Sequence, residues 1–189
     1  RRLIYFIRRR AGPGTEPRSN TAMSIEREIE AQIPSLRRFA RALCRDVHLA
    51  DDLVQDTLER ALGRLFLWRR GSNLRAWLFT ILRNLFLNGR RTRYAPATTL
   101  TPEQWEGLLT HLPEQPARME ALDLLRALDR LTEDQRDVIL LVGLEGFTYE
   151  EAAQVLDLPL GTVMSRLSRG RETLRLLMSR DGPPKLREV

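Results

Sequence analysis

The stretch FTYEEAAQVLDLPLGTVMSRLSRGRETLRLL, residues 147–177, predicts two helices joined by a tight turn. Thr148 and Glu151 have the spacing of a capping box, in which side chains satisfy free amide groups at a helix start. Asp157 stands at the turn, and Asp is one of the few residues that tolerate a left-handed backbone conformation. The stretch is therefore typical of a helix-turn-helix.

The second helix of this motif is expected over about 160–178. Apolar residues and one glycine recur along it at steps of three and four and form an inward stripe, namely Leu160, Val163, Leu167, Gly170, Leu174 and Leu177. Ser165, Ser168 and Arg169 then point away from the stripe, with further arginines on both flanks. Because a helix fits the major groove and arginines contact bases and phosphates, the pattern favours DNA binding over a merely solvated surface.

The distribution of charge points the same way. The chain of 189 residues has a net charge of +6. Residues 60–91 hold eight Arg and no acid, and residues 158–180 hold five Arg and one Glu. Residues 103–157, between them, hold thirteen acids and four Arg. Each basic block is a candidate for a separate DNA contact.

Composition excludes several other classes of protein. Cys44 is the only cysteine and there are two histidines, so neither a disulfide framework nor a zinc finger is expected. We expect Cys44 to be a small buried side chain. No apolar run approaches the roughly 18 residues that span a bilayer, so no membrane insertion is expected. These features predict a reduced, cytoplasmic protein.

The first basic block lies in a second group of helices. A helix over 24–45 has Pro34 inside it, and a helix over 49–65 carries several acids on one side that composition alone explains as a solvated face. A loop at 66–73 precedes a helix over 74–91 with a predicted core face formed by Leu74, Trp77, Leu78, Ile81 and Leu85. In a neighbouring stripe, arginines alternate with Phe79 and Phe86. This pattern predicts either a surface that binds nucleic acid or a core that includes the two Phe side chains.

These elements predict an all-α fold of two small helical modules joined by a flexible linker. Thr132 and Gln135 form a second capping box, which starts another helix of the later module. The expected segments are a disordered basic tail 1–22, a helical module 23–91, a linker 92–116, a four-helix module 117–180 and a loose tail 181–189. A short helix is also expected from Thr101 to about Leu109 within the linker.

Four stretches together carry a resemblance to a known family, namely LADDLVQDTLERAL (49–62), NLRAWLFTILRNL (73–85), LTEDQRDVILL (131–141) and FTYEEAAQVLDLPLGTVMSRLSRGR (147–171). In this order the chain resembles bacterial RNA polymerase sigma factors of the extracytoplasmic-function type, group IV of the sigma-70 family. The resemblance implies that the first module is sigma region 2, which binds core polymerase and the promoter −10 element. The second module is then sigma region 4, which binds the −35 element.

The resemblance also implies three sets of site residues. Contacts to the β′ clamp of core RNA polymerase fall on Asp51, Asp52, Gln55, Asp56 and Glu59. Contacts to the −10 element fall on Arg70, Ser72, Asn73, Arg75, Arg83, Asn84, Arg90 and Arg91, and the loop over 70–74 is expected to hold an unstacked base. Contacts to the −35 element fall on Thr162, Ser165, Arg166, Ser168, Arg169 and Arg171.

The implied function is to direct core RNA polymerase, through its β′ clamp and β flap, to promoter DNA. No enzymatic activity, cofactor or metal is expected, and an anti-sigma factor acting in a stress or envelope response is implied. Met164 stands where many relatives have a basic residue, so the −35 preference is open. Asn88-Gly89 replaces an acid and a bulky residue often found near the end of the −10 helix. The alternatives are an operator-binding repressor or activator that dimerises, and an adaptor that binds only proteins.

Overall fold

The computed structural model describes residues 19–69, 71–94 and 123–180, and no strand occurs within these ranges. The first unit contains helices α1 (Ser19–Cys44), α2 (Val47–Gly63) and α3 (Leu74–Gly89). The second contains α4 (residues 123–129), α5 (Glu133–Ile139) continuing into a π-helical turn (Leu140–Leu144), α6 (Tyr149–Leu156) and α7 (Leu160–Arg180). The two units are separately compact, the first taking α2 from His48 onward. The predicted all-α fold of two modules is confirmed.

Helix α1 begins earlier than the sequence predicts. It starts at Ser19 and runs through Pro34 to Cys44, so residues 19–22 are helical and the expectation of disorder is wrong for them. Once a helix exists, each further residue gains a backbone hydrogen bond, so α1 can extend to Ser19 although residues 19–22 have no apolar stripe. Residues 1–18 lie outside the described ranges. Pro34 is exposed and does not end the helix, while Cys44 is buried, as predicted.

The core of the first unit lies between α1 and α3. The rings of Phe39 and Phe79 meet with centroids 5.2 Å apart, and both side chains are fully buried. The buried side of α3 also holds Ala76, Leu82 and Phe86, whereas Trp77 is only half-buried. Leu74 and Leu78 are buried as predicted, but Trp77, Ile81 and Leu85 are only half-buried. The buried side is therefore turned by roughly one residue, or 100°, from the predicted core face. Phe79 and Phe86 pack in the core and cannot stack on bases.

The chain leaving α3 folds back onto the first unit. The backbone amides of Thr92, Arg93 and Tyr94 all donate to the Gly89 carbonyl, at 3.0, 2.7 and 2.9 Å. This turn buries the Tyr94 ring, and a Cβ atom on Gly89 would lie 2.5 Å from it. The first unit therefore extends to Tyr94, three residues beyond the predicted end at Arg91. The predicted linker helix and the tail 181–189 lie outside the described residues.

In the second unit, α5 packs closely against α7. Gly170 is buried there, and a Cβ atom on it would lie 2.6 Å from Ile139 Cδ1 and 3.3 Å from Gln135 Cβ. Glycine thus permits this approach despite its poor helix propensity, as the sequence suggested. The stripe prediction holds for Val163 and Leu167, which are buried, but it is wrong for Leu160, which is 40% exposed.

Arg136 ties α5 to the end of α4. Its guanidinium donates to the carbonyls of Leu128, Asp129 and Leu131, at 3.0, 2.9 and 3.2 Å. The last carbonyls of a helix lack partners within the helix, so these bonds satisfy groups that would otherwise need water. The predicted capping box at Thr132 and Gln135 is present at the start of α5.

We predict that Gly89→Ala lowers the free energy of unfolding of the first unit. The new methyl group must displace a buried ring, which costs about 1–3 kcal/mol, against a gain of up to about 1 kcal/mol in helix propensity. Gly63→Ala is the matched control, because Gly63 also ends a helix and has no heavy atom within 4 Å of its Cβ position. Thermal unfolding followed by circular dichroism would contradict this packing if Gly89→Ala were as stable as the control.

Candidate polymerase-binding and DNA-binding surfaces

Helix α2 buries one side and leaves its acidic face outward. We define the acidic face by the five side chains predicted from the sequence, which are Asp51, Asp52, Gln55, Asp56 and Glu59. The opposite side is buried, including Leu53, Val54 and Leu58, and the buried Thr57 hydroxyl donates to the Leu53 carbonyl at 2.7 Å. The hydroxyl is thereby satisfied within the helix, and this side of α2 can be buried without an unpaired polar group.

Most of the acidic face is only loosely engaged. Asp51 forms an ion pair with Arg37 of α1 at 3.3 Å, and both side chains remain nearly half exposed. Gln55 donates its amide to the Glu59 carboxylate at 3.1 Å on the helix surface. Asp52 is exposed. Exposed pairs of this kind contribute little to stability, so a partner can replace them at low cost.

Asp56 differs from the rest of the acidic face. Its Oδ2 atom accepts a hydrogen bond from the Tyr94 hydroxyl and pairs with the Arg93 guanidinium at 2.7 Å. Burial, and then the hydrogen bond to this carboxylate, raise the pKa of Tyr94 above its usual value. We call this arrangement the Asp56 clasp. Because the carboxylate already has two partners, Asp56 is placed to hold the first unit together.

At the start of α3, the side chains of two predicted site residues form hydrogen bonds to the backbone. Asn73 caps the helix, its side-chain oxygen accepting from the Ala76 amide at 3.0 Å. The Ser72 hydroxyl donates to the Arg69 carbonyl at 2.7 Å, and Gly71 adopts a left-handed φ of +84°. Both polar side chains are exposed, so the turn presents them in a defined position. Arg70, also predicted here, lies outside the described residues.

The remaining predicted −10 residues lie along α3 and the turn after it. Asn84 and Arg91 are exposed, whereas Arg75, Arg83 and Arg90 are half-buried. The Arg75 guanidinium lies 5.6 Å from the centre of the buried Phe79 ring. This contact holds the half-buried Arg75 side chain against the surface of its own helix. The structure thus places a basic surface along α3. Phe79 and Phe86 are buried, so they add no exposed aromatic ring to this surface.

The helix-turn-helix forms as the sequence predicts. Both halves of the Thr148–Glu151 capping box are present at the start of α6. Asp157 adopts the left-handed conformation, with φ 53° and ψ 53°. The next amide, of Leu158, donates to the Ala153 carbonyl at 3.0 Å and so closes the end of α6. The turn then directs the chain into α7 at Leu160.

The predicted −35 residues of α7 differ in their exposure and in their contacts within the protein. Ser168, Arg169 and Arg171 are exposed. Arg166 pairs instead with Asp134 of α5 at 2.8 Å, and only 26% of its side chain is exposed. The Ser165 hydroxyl, half-buried, donates to the Thr162 carbonyl at 3.0 Å, and Thr162 is also half-buried. The most accessible surface therefore centres on Ser168 and Arg169.

Both parts of the chain match known families. Residues 29–83 match the family described as the Sigma2 domain of PhyR, and residues 121–174 match Sigma-70, region 4. The chain is also similar to the ECF RNA polymerase sigma factor EcfG of Rhodopseudomonas palustris (strain TIE-1). The two are 43% identical over 159 residues, which cover 84% of this chain and 87% of that protein.

Two solved structures share the fold. One is the sigma factor RpoE in complex with the anti-sigma factor NepR from Bartonella quintana, with a TM-score of 0.69 and 35% identity, covering 84% of this chain and 99% of that one. The other is CnrH in complex with the cytosolic domain of CnrY, with a TM-score of 0.67 and 27% identity, covering 87% and 93% of the two chains.

The chain belongs to the extracytoplasmic-function family of RNA polymerase sigma factors. It therefore directs core RNA polymerase to promoter DNA at the initiation of transcription, and the operator-binding alternative is not favoured. Among the described residues, no helix is long and apolar enough to cross a membrane. Within the same ranges, no three histidine, cysteine or acidic side chains are grouped as metal ligands.

We predict that Asp134→Ala strengthens promoter binding by the holoenzyme. Removing this carboxylate releases Arg166, which can then contact a phosphate and steepen the dependence of log affinity on log salt concentration by about one unit. Asp123→Ala is the control, because Asp123 also pairs with an arginine, Arg126, at 3.2 Å in the same unit. Fluorescence anisotropy over a salt series measures the promoter affinity of each variant and the salt dependence of that affinity. Equal gains for the two variants would contradict a specific role for Arg166.

Proposed function

We propose that the two units divide promoter recognition between them. The first unit, within 23–91 and its extension to Tyr94, binds the β′ clamp through the acidic face and the −10 element through α3 and the turn before it. The second unit, within 117–180, binds the −35 element through α7 and the β flap through its remaining surface. The observation that carries this proposal is the opposite charge of two exposed helix faces, acids on α2 and arginines on α7.

The acidic face is suited to a protein partner rather than to DNA. Its exposed carboxylates would repel phosphates, but they complement a basic protein surface and speed the encounter with it. Asp51, Asp52, Gln55 and Glu59 are the proposed contacts. Asp56 contributes indirectly, because the Asp56 clasp holds the end of α3 against α2.

The arginines of α7 are suited to DNA. Ser168, Arg169 and Arg171 lie outward on a helix whose other side is buried, so they can enter a major groove without disturbing the core. Arg83, Asn84, Arg90 and Arg91 are proposed to contact the −10 region, with Ser72 and Asn73 at the turn where a base is held. The protein acts by positioning and carries out no covalent reaction.

An anti-sigma factor is proposed as a further partner. The Bartonella quintana relative was solved with such a protein, and the chain covers 99% of that relative. We infer that a protein of this kind sequesters this chain in the cytoplasm until a stress or envelope signal releases it. Co-purification from the native host tests this, since recovery of core polymerase subunits alone would contradict it.

The polymerase contact is tested by Asp52→Arg. We expect the affinity for core polymerase to fall about tenfold, because the reversed charge meets a basic surface. Glu30→Arg is the control, since Glu30 is an exposed acid on α1 of the same unit. Binding of fluorescently labelled chain to purified core polymerase gives both affinities. An unchanged affinity for Asp52→Arg would mean that the acidic face is only solvated.

The −35 contact is tested by Arg169→Ala in run-off transcription. Loss of one arginine contact to a base is worth about 1–3 kcal/mol, so initiation at subsaturating holoenzyme should fall about fivefold to a hundredfold. Arg126→Ala, an exposed arginine on α4, should leave initiation unchanged. Core affinity should not change in either variant. If Arg169→Ala abolished core binding instead, the −35 assignment would be wrong.

A further inference from the structure

The first turns of α7 expose apolar side chains where a DNA-reading helix usually carries polar ones. Met164 is 50% exposed and Leu160 is 40% exposed. They are four residues apart and therefore lie on the same side of the helix. Gly161 beside them is also exposed, and the space at its Cβ position is open. The protein thus presents a small apolar surface, defined by Leu160 and Met164, at the N-terminal end of α7.

This surface lies within the proposed DNA-binding side of α7. At about 100° per residue, Met164 is within roughly 40° of Ser168 and lies one turn nearer the helix start. By the same rule, the buried Val163 and Leu167 lie about 100° and 60° from Met164, so Met164 lies between the buried stripe and Ser168. In a helix-turn-helix, residues near the start of the second helix contact the base edges. Met164 is the fifth residue of α7 and so belongs to this group.

The neighbouring polar groups are already engaged within the protein. The Ser165 hydroxyl donates to the Thr162 carbonyl, and the Arg166 guanidinium pairs with Asp134. The outward contacts available from the first two turns of α7 are therefore mainly apolar. Arg169 and Arg171 follow in the next turn and are exposed. Arg171 is nearly in line with Met164 along the helix, and Arg169 lies about 140° around it, so both charges are available to phosphates near the apolar surface.

In the major groove, one base offers an apolar group. The thymine C5-methyl is the apolar feature that distinguishes base pairs there, and side chains read it by direct contact. We propose that Met164 contacts a thymine methyl group in the −35 element and makes the protein select an A·T pair at that position. This proposal rests on the proposed −35 function of α7. Leu160 is placed to extend the same contact to a neighbouring methyl group.

A methionine suits this task. Its unbranched, flexible thioether side chain adapts its shape to a small apolar group. A lysine or arginine at this position would instead favour a guanine edge or a phosphate. Two isolated exposed side chains make too small a surface for a stable protein interface, which normally requires a contiguous apolar patch of several hundred Å². The nearby exposed Arg169 and Arg171 further favour nucleic acid as the occupant.

The test uses holoenzyme assembled from purified core polymerase and the full chain. Promoters are first selected from DNA randomised across the upstream element. Each thymine in that element is then replaced by deoxyuridine, which removes only the C5-methyl group. For the unaltered protein, we expect replacement of one or two thymines to weaken binding about fourfold each, the effect of burying one methyl group. With Met164→Ala, the same replacements should have almost no effect.

Met178→Ala is the matched control, because Met178 is also exposed and lies on the same helix about four turns further along. It should keep the full sensitivity to deoxyuridine. Equal sensitivity of Met164→Ala and the unaltered protein would overturn the proposal, as would a selected element made only of G·C pairs. Failure of the holoenzyme to select any upstream sequence would instead overturn the −35 function of α7, and the role of Met164 with it.

Discussion

Burial of a single stripe on each helix is the constraint on which both functional surfaces depend. On α2, packing of Leu53 and Leu58 into the core leaves the carboxylates outward. On α7, burial of Val163 and Leu167 leaves Met164, Ser168 and Arg169 outward. A helix that packs on one side must present the other side to solvent or to a partner. The two surfaces therefore arise from the same apolar contacts that stabilise each unit.

Local features of this fold could be read from the sequence because they depend on neighbouring residues. Both capping boxes and the left-handed Asp157 involve residues no more than four apart, and each forms as predicted. The inward side of α3 could not be read in the same way. Apolar residues cover most of its circumference, so helical periodicity favoured a face with Trp77 and left the role of Phe79 open. Packing against Phe39 of α1 decided it.

Contacts between distant residues changed the interpretation of individual site residues. Tyr94 meets Asp56 across 38 positions of sequence, and no local pattern predicts that pair. The pairing of Arg166 with Asp134 is similarly invisible in the sequence. Both contacts engage a charged residue that composition alone would leave available to a partner. Within the candidate surfaces, Asp52 and Arg169 are exposed, whereas Asp56 and Arg166 are engaged by these internal contacts.

Two modest contacts can act as one strong contact when they are linked. In the proposed arrangement, binding of the first unit to core polymerase raises the effective concentration of the second near DNA, so neither surface needs high affinity alone. This explains how a small exposed apolar and basic surface on α7 can suffice for promoter choice. The proposed arrangement therefore requires that the two contacts be made by separate units.

Site-specific photocrosslinking tests that separation most directly. Gln55 on α2 and Ser168 on α7 are both exposed, and each would be replaced by a photoreactive amino acid in separate holoenzyme–promoter complexes. We expect position 55 to crosslink to the β′ subunit and position 168 to upstream promoter DNA. Crosslinking of position 55 to DNA, or of position 168 to polymerase alone, would contradict this separation.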